Sequence, residues 1–141
     1  MKPNSSYWSI EQLPGLDEEC LVLLKNAGIN STQDLLRCTS TNESKQQLAH
    51  QLQVNINHVN KWVAMAELAR VPGVGCEHCG LILHCGVASV EQLSITSVPR
   101  LHKQILRLHV STMGRRDLCP PVEQIQGWIR QAQLMSQTRG R

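Results

Sequence analysis

The ten residues from Cys76 to Cys85 read C-E-H-C-G-L-I-L-H-C, three thiols and two imidazoles in close succession. Thiolate and imidazole are ligands that zinc prefers, and Cys76, Cys79 and His84 are the candidates this segment offers. A structural zinc site wants a second Cys/His pair at ligand spacing, and Cys119 with His102 or His109 is not a persuasive one. The alternative is that the thiols are small core residues. A redox C-x-x-C would need a βαβ context that is missing here, and six cysteines without a secretory signal do not make a disulfide framework. No cofactor is expected.

Catalysis finds less support still. Six Cys and six His guarantee Cys–His pairs by chance, Cys76 or Cys119 among them, and no paired carboxylate motif accompanies the histidines. There is no G-x-S-x-G, no phosphate loop ending in Lys-Ser/Thr and no H-E-x-x-H. With no constellation to which roles could be given, a non-enzymatic chain is expected, without a small-molecule substrate.

At 141 residues, 41% hydrophobic and 18% charged, the chain suits one domain or two very small ones around a real core. No apolar run approaches the roughly 20 residues of a membrane helix. The N-terminal M-K-P-N-S-S-Y-W-S lacks the apolar stretch of a secretory signal, so a cytoplasmic location and no membrane partner are the expectation. Three Trp, one Tyr and no Phe argue against stacked platforms for single-stranded nucleic acid. Charge is uneven. Residues 1–69 carry five Lys/Arg against seven Asp/Glu, a net of −2, whereas 70–141 carry nine against four, a net of +5. A polyanion should prefer the second half.

The elements that must position these residues come from an internal duplication. "LPGLDEECLVLLKNAGINSTQDL" from Leu13 returns as "VPGVGCEHCGLILHCGVASVEQL" from Val71 at an offset of 58, and "HVNKWVAMAEL" from His58 returns as "QIQGWIRQAQL" from Gln124 at an offset of 66. Eight extra residues therefore fall in or near "LHVSTMGRRDLCPP". Leu16, Cys20, Leu23, Leu24 and Ala27 mark one helical face, ended by Gly28 in a left-handed stop. Ser31 with Asp34, and Ser89 with Gln92, have helix-starting spacing. Trp62 and Trp128 recur on the buried side of a longer closing helix, and Trp8 and Tyr7 read as packing residues. About four helices per repeat are expected, with 9–69 and 70–135 as the two units. Residues 1–8 read as a loose arm and 136–141 as a loose basic tail. The alignment also bears on the thiols: Cys79 falls opposite Leu21 and Cys85 opposite Ala27, on or beside a core face.

The pattern L-P-G-L or V-P-G-V-G, one helix, A-G-I or C-G-V, then S-x-x-D/Q-L resembles the helix-hairpin-helix superfamily. It is similar to an uncharacterised family, a domain of unknown function, whose duplicated units each end in a W-I-x-x-A helix, here Trp62-Val63-x-x-Ala66 and Trp128-Ile129-x-x-Ala132. "LLKNAGINSTQDLL" also resembles the C-terminal domain of the bacterial RNA polymerase α subunit; where that domain has a DNA-contacting arginine this chain has Glu19. The resemblance covers about residues 9–135 and implies an all-α fold. Its form would be two tandem helix-hairpin-helix (SAM-like) units packed into one compact helical domain.

A hairpin of this type gathers backbone N–H groups and a helix N-terminus at one point, where glycine lets a phosphate approach. Gly73, Val74, Gly75 and Cys76 meet that description; in the first repeat Asp17, Glu18 and Glu19 suit the helix dipole but repel phosphate. Basic residues must come from outside the second hairpin: Arg70 before it, Arg100, Lys103 and Arg107 at i, i+3 and i+7, then Arg115 and Arg116. Leu101, Ile105 and Leu108 would take the buried face of that stripe. If the stripe flanks the hairpin, weak sequence-independent binding to duplex DNA or another nucleic acid follows. If it points elsewhere, the expectation is a protein–protein adaptor that has lost phosphate binding.

Overall fold

Helices begin where the sequence supplies caps. Ser31 Oγ accepts the Asp34 N–H at 3.1 Å, and Ser89 Oγ accepts the Gln92 N–H at 3.1 Å. The capped residue reaches back in both halves: Asp34 Oδ2 accepts from the Asn30 N–H and Gln92 Oε1 from the Ala88 N–H. Gln92 Nε2 adds a bond to the Gly86 carbonyl at 2.8 Å. Helix ends are matched as well. Gly28 (φ 86°) and Gly86 (φ 92°) are left-handed, and the next amides, Ile29 and Val87, bond back to Leu24 and Ile82. Ile29 and Val87 then enter the core.

The computed structural model describes residues 6–113 and 120–139. A 3₁₀ turn, Ile10–Gln12, precedes α1 (Glu18–Asn26), α2 (Thr32–Cys38), α3 (Asn42–Leu52) and α4 (Ile56–Ala69). The second half repeats the order with α5 (Gly75–His84), α6 (Val90–Ser94), α7 (Val98–Met113) and α8 (Val122–Arg139). The described residues are all-α, four helices to each half, without a strand. Thr32 and Val90, the first residues of α2 and α6, differ by the sequence offset of 58; Ile56 and Val122, opening α4 and α8, differ by 66. Part of the insertion lengthens the third helix, since α7 has 16 residues and α3 has 11.

Packing follows the same plan twice. α4 packs against α2 and α3, α8 against α6 and α7, and α4 also packs on α5, joining the halves. The buried side chains form one cluster, with Leu24, Leu35, Trp62 and Met65 from the first half meeting Ile82, Leu93, Ile105 and Trp128 from the second. The face expected on α1 is shallower than its pattern: only Leu24 is buried, while Leu16, Cys20, Leu23 and Ala27 are half-buried. A three-residue turn precedes α1 where the long α4 precedes α5, so α1 has less to pack against.

The described parts of both termini depart from the loose ends expected. The Ser6 N–H bonds the Arg70 carbonyl at 2.9 Å, Ser9 pairs with Ser31 in an isolated antiparallel bridge, and α8 continues to Arg139. The arm is held because the Trp8 backbone bonds Thr32 twice: its N–H donates to the Thr32 hydroxyl Oγ1, and its carbonyl accepts the Thr32 N–H.

A Cβ built on Gly28 or Gly86 would meet no atom within 4 Å. The only penalty for a side chain there is the left-handed backbone. Gly28→Ala and Gly86→Ala should each cost about 1 kcal/mol in urea unfolding, with asparagine recovering part of it. An equal cost for alanine and asparagine would show that the left-handed conformation is not what these glycines supply.

Candidate functional site

Hairpin two was expected to offer free amides to a phosphate. In the fold the Val74 and Gly75 N–H groups both bond the Val71 carbonyl, at 2.9 and 3.0 Å. The Gly73 N–H donates to Gln131 Oε1 at 2.8 Å. Gly75 is buried beneath Trp8: a Cβ at Gly75, whose φ is +54°, would sit 3.2 Å from the indole Cζ2. Val74 is buried and Cys76 is half-buried, its thiol pushed up by burial. Arg70 is half-buried, paired with Glu67, and its carbonyl takes the Ser6 N–H. Nothing in the local motif announces Trp8 or Gln131 as neighbours of this loop.

One of the two was nevertheless within reach of the alignment. Gln131 is the 66-offset counterpart of Met65, and each approaches the first glycine of its own hairpin. Gln131 lies over Gly73, and the Met65 ε-methyl is 3.6 Å from where a Cβ on Gly15 would stand. An apolar contact in the first half has become a hydrogen bond in the second. Behind it, Trp128 is buried with its Cδ1 3.3 Å from a Cβ at Gly73, and its ring centroid is 4.9 Å from that of His78. Trp128 Nε1 has no hydrogen-bond partner among the described residues.

The basic stripe forms as the spacing predicts. Arg100, Lys103 and Arg107 are exposed on one side of α7 while Leu101 and Ile105 are fully buried on the other and Leu108 is half-buried. Its neighbourhood is the far end of α5. Arg100 borders a cleft of ≈ 320 Å³ with Gly86, Val87 and Ile95, and Arg107 borders a second of ≈ 250 Å³ with His84 and Leu108. Cys85 and Gln104 line both, so the two clefts form one groove. Ten residues of α5 put about 15 Å between this groove and hairpin two. The stripe residues are brought together, but not onto the hairpin. Arg115 and Arg116 lie outside the described residues.

The opposite charge gathers at the start of α1. Asp17 caps the helix, Oδ1 accepting the Cys20 N–H at 2.8 Å, and that bond holds the carboxyl below its ordinary value. Glu18 and Glu19 point to solvent beside Val22, which is 54% exposed. Of the thiols, Cys79 is fully buried, as its alignment with Leu21 predicts, and burial pushes it up to about 12. Its Sγ donates to the Cys76 carbonyl at 3.7 Å, and His84 is exposed. Among the described residues no three His, Cys, Asp or Glu side chains gather to hold a metal; Cys119 lies outside them.

The family model described as Domain of unknown function (DUF4332) matches residues 14–135. The chain belongs to the DUF4332 family. The matched span of this DUF4332 member begins just before α1 and runs into α8, so it takes in helices from both halves of the chain. No curated protein and no solved structure matches it significantly. Among its described residues no helix is long and apolar enough to cross a membrane.

Proposed function

We propose that this chain is a non-enzymatic binding module of two helix-hairpin-helix units whose hairpins now serve the fold, and that it works as a protein–protein adaptor. The observation that carries this reading is the state of the second hairpin. Its three amides, Gly73, Val74 and Gly75, are all bonded within the chain. A phosphate arriving there would have to displace Gln131 and still find Gly75 under Trp8. The first hairpin offers carboxylates instead. Exposed charge and exposed aliphatic surface then lie side by side at two places, α1 and the α7 groove, which is the composition of a modest protein-binding surface.

A specific observation favours a second reading. Arg100, Lys103 and Arg107 are exposed, and among the described residues no carboxylate lies within ion-pair distance of them. Three such cations support weak nucleic-acid backbone binding through α7 alone. Fluorescence anisotropy with duplex DNA, single-stranded DNA and RNA at two salt concentrations separates the readings. The adaptor reading expects no salt-sensitive binding of any of the three, and nuclease-insensitive capture of a protein that is lost with Arg100→Glu, Lys103→Glu, Arg107→Glu. Duplex binding that strengthens in Gln131→Ala would overturn it and return the phosphate to hairpin two.

A further inference from the structure

We propose that the α7 groove of one molecule receives the α1 face of a second copy, so that the chain self-associates head to tail. The inference rests on the adaptor reading in one respect, that the groove takes protein rather than nucleic acid, and goes beyond it by naming the occupant. Arg100 and Arg107 border the groove and Lys103 is exposed on the same helix, none of them with a counter-charge among the described residues, and at the lip Ile95 is 83% exposed. The α1 face carries the complementary set. Glu18 and Glu19 have no cation at ion-pair distance among the described residues, and Val22 stands exposed one turn along. Val22 and Ile95 are two of the few large aliphatic side chains left this open in the described fold.

The two halves explain why each surface is open. In the second half the groove lies between the end of α5 and α7, with His84 and Cys85 on one side and Gln104 and Arg107 on the other. The counterpart of Val22 in α5 is Gly80, and that position is covered by Pro14, 3.6 Å from where a Cβ would lie. Among the described residues the element before α1 is the three-residue turn Ile10–Gln12, and Val22 is exposed where Gly80 is half-buried. In scale the surfaces agree: Glu18 to Val22 spans about 6 Å of helix and Arg100 to Arg107 about 10 Å. The patches differ from each other, so the contact is heterologous. Each molecule keeps one unused face, and assembly proceeds to rings or short chains. Exposed ion pairs contribute little apiece and are screened by salt, which makes the association micromolar or weaker and salt-sensitive.

Sedimentation of the purified, reduced protein tests this. Weight-average mass should rise above the monomer as concentration increases at about 50 mM salt and return to the monomer near about 500 mM. Glu18→Lys with Glu19→Lys should abolish the rise, as should Arg100→Glu with Lys103→Glu and Arg107→Glu in a separate chain. Mixed one to one, the two variants should associate again, because the intact groove of one meets the intact α1 face of the other and their two reversed faces are again opposite in charge. That rescue also shows that both variants fold. A monomer at every concentration would overturn the proposal, and if protein capture by the groove persisted, the adaptor reading would stand without it. Association that survives either charge reversal would place the contact elsewhere and overturn it as well.

Discussion

Trp128→Ala should remove about 3–5 kcal/mol of folding stability, the largest effect of any single truncation in the second half. The indole is 1% exposed and shares its helix with the buried Ile125, Ile129 and Ala132. It backs the Gly73 turn and the His78 ring, so alanine would leave a cavity between α8, hairpin two and α5 that rigid helices close only in part. Against the usual domain stability of about 5–15 kcal/mol, such a loss leaves little margin at physiological temperature. The buried N–H without a partner supplies the control. Trp128→Phe retains most of the apolar body and removes an unpaired donor, so it should cost no more than about 1–2 kcal/mol. Urea unfolding followed by far-UV circular dichroism measures both. Similar losses for alanine and phenylalanine would mean that the indole's size is not what holds this corner.

Trp8→Ala should cost about 2 kcal/mol and act far from residue 8 in sequence. The indole Nε1–H donates to the Ala69 carbonyl at 2.8 Å and the ring covers Gly75. Alanine keeps the arm's backbone bonds to Thr32 but uncovers hairpin two. Hydrogen exchange should therefore accelerate at the amides of Val74 and Gly75 well before those of α2 or α3. Uniform acceleration across the chain would show that Trp8 contributes only to global stability and does not guard the hairpin.

Local signals made much of the fold legible. The serine caps, Gly28 and Gly86, and the recurrent tryptophans each depend on neighbours within a few residues, and the duplication checked every such reading against a second instance. The stripe on α7 was readable for the same reason, because a face follows from periodicity. What the face looks toward does not. That depends on how α7 lies against α8 and beside the far end of α5, a tertiary outcome with no local code. Trp8 shows the limit most plainly. It has no counterpart in the second repeat, and the partners of its indole are 61 and 67 residues away. In the loop that the motif marks, the Val74 and Gly75 amides bond Val71 within the turn, while Gln131, which takes the Gly73 N–H, and Trp8, which covers Gly75, come from elsewhere in the chain.

The docking of the arm has a consequence for dissection. Although the sequence divides near Arg70 into two similar stretches, a scissors cut there would not yield two working copies. The piece retaining α5 would lose α4, which packs on it, together with the indole that covers Gly75. The piece retaining the arm would carry a tryptophan whose seat had been removed with the hairpin. The two similar stretches thus share one seam, across which the segment around Trp8 acts as a clasp from Thr32 to Ala69 and Gly75.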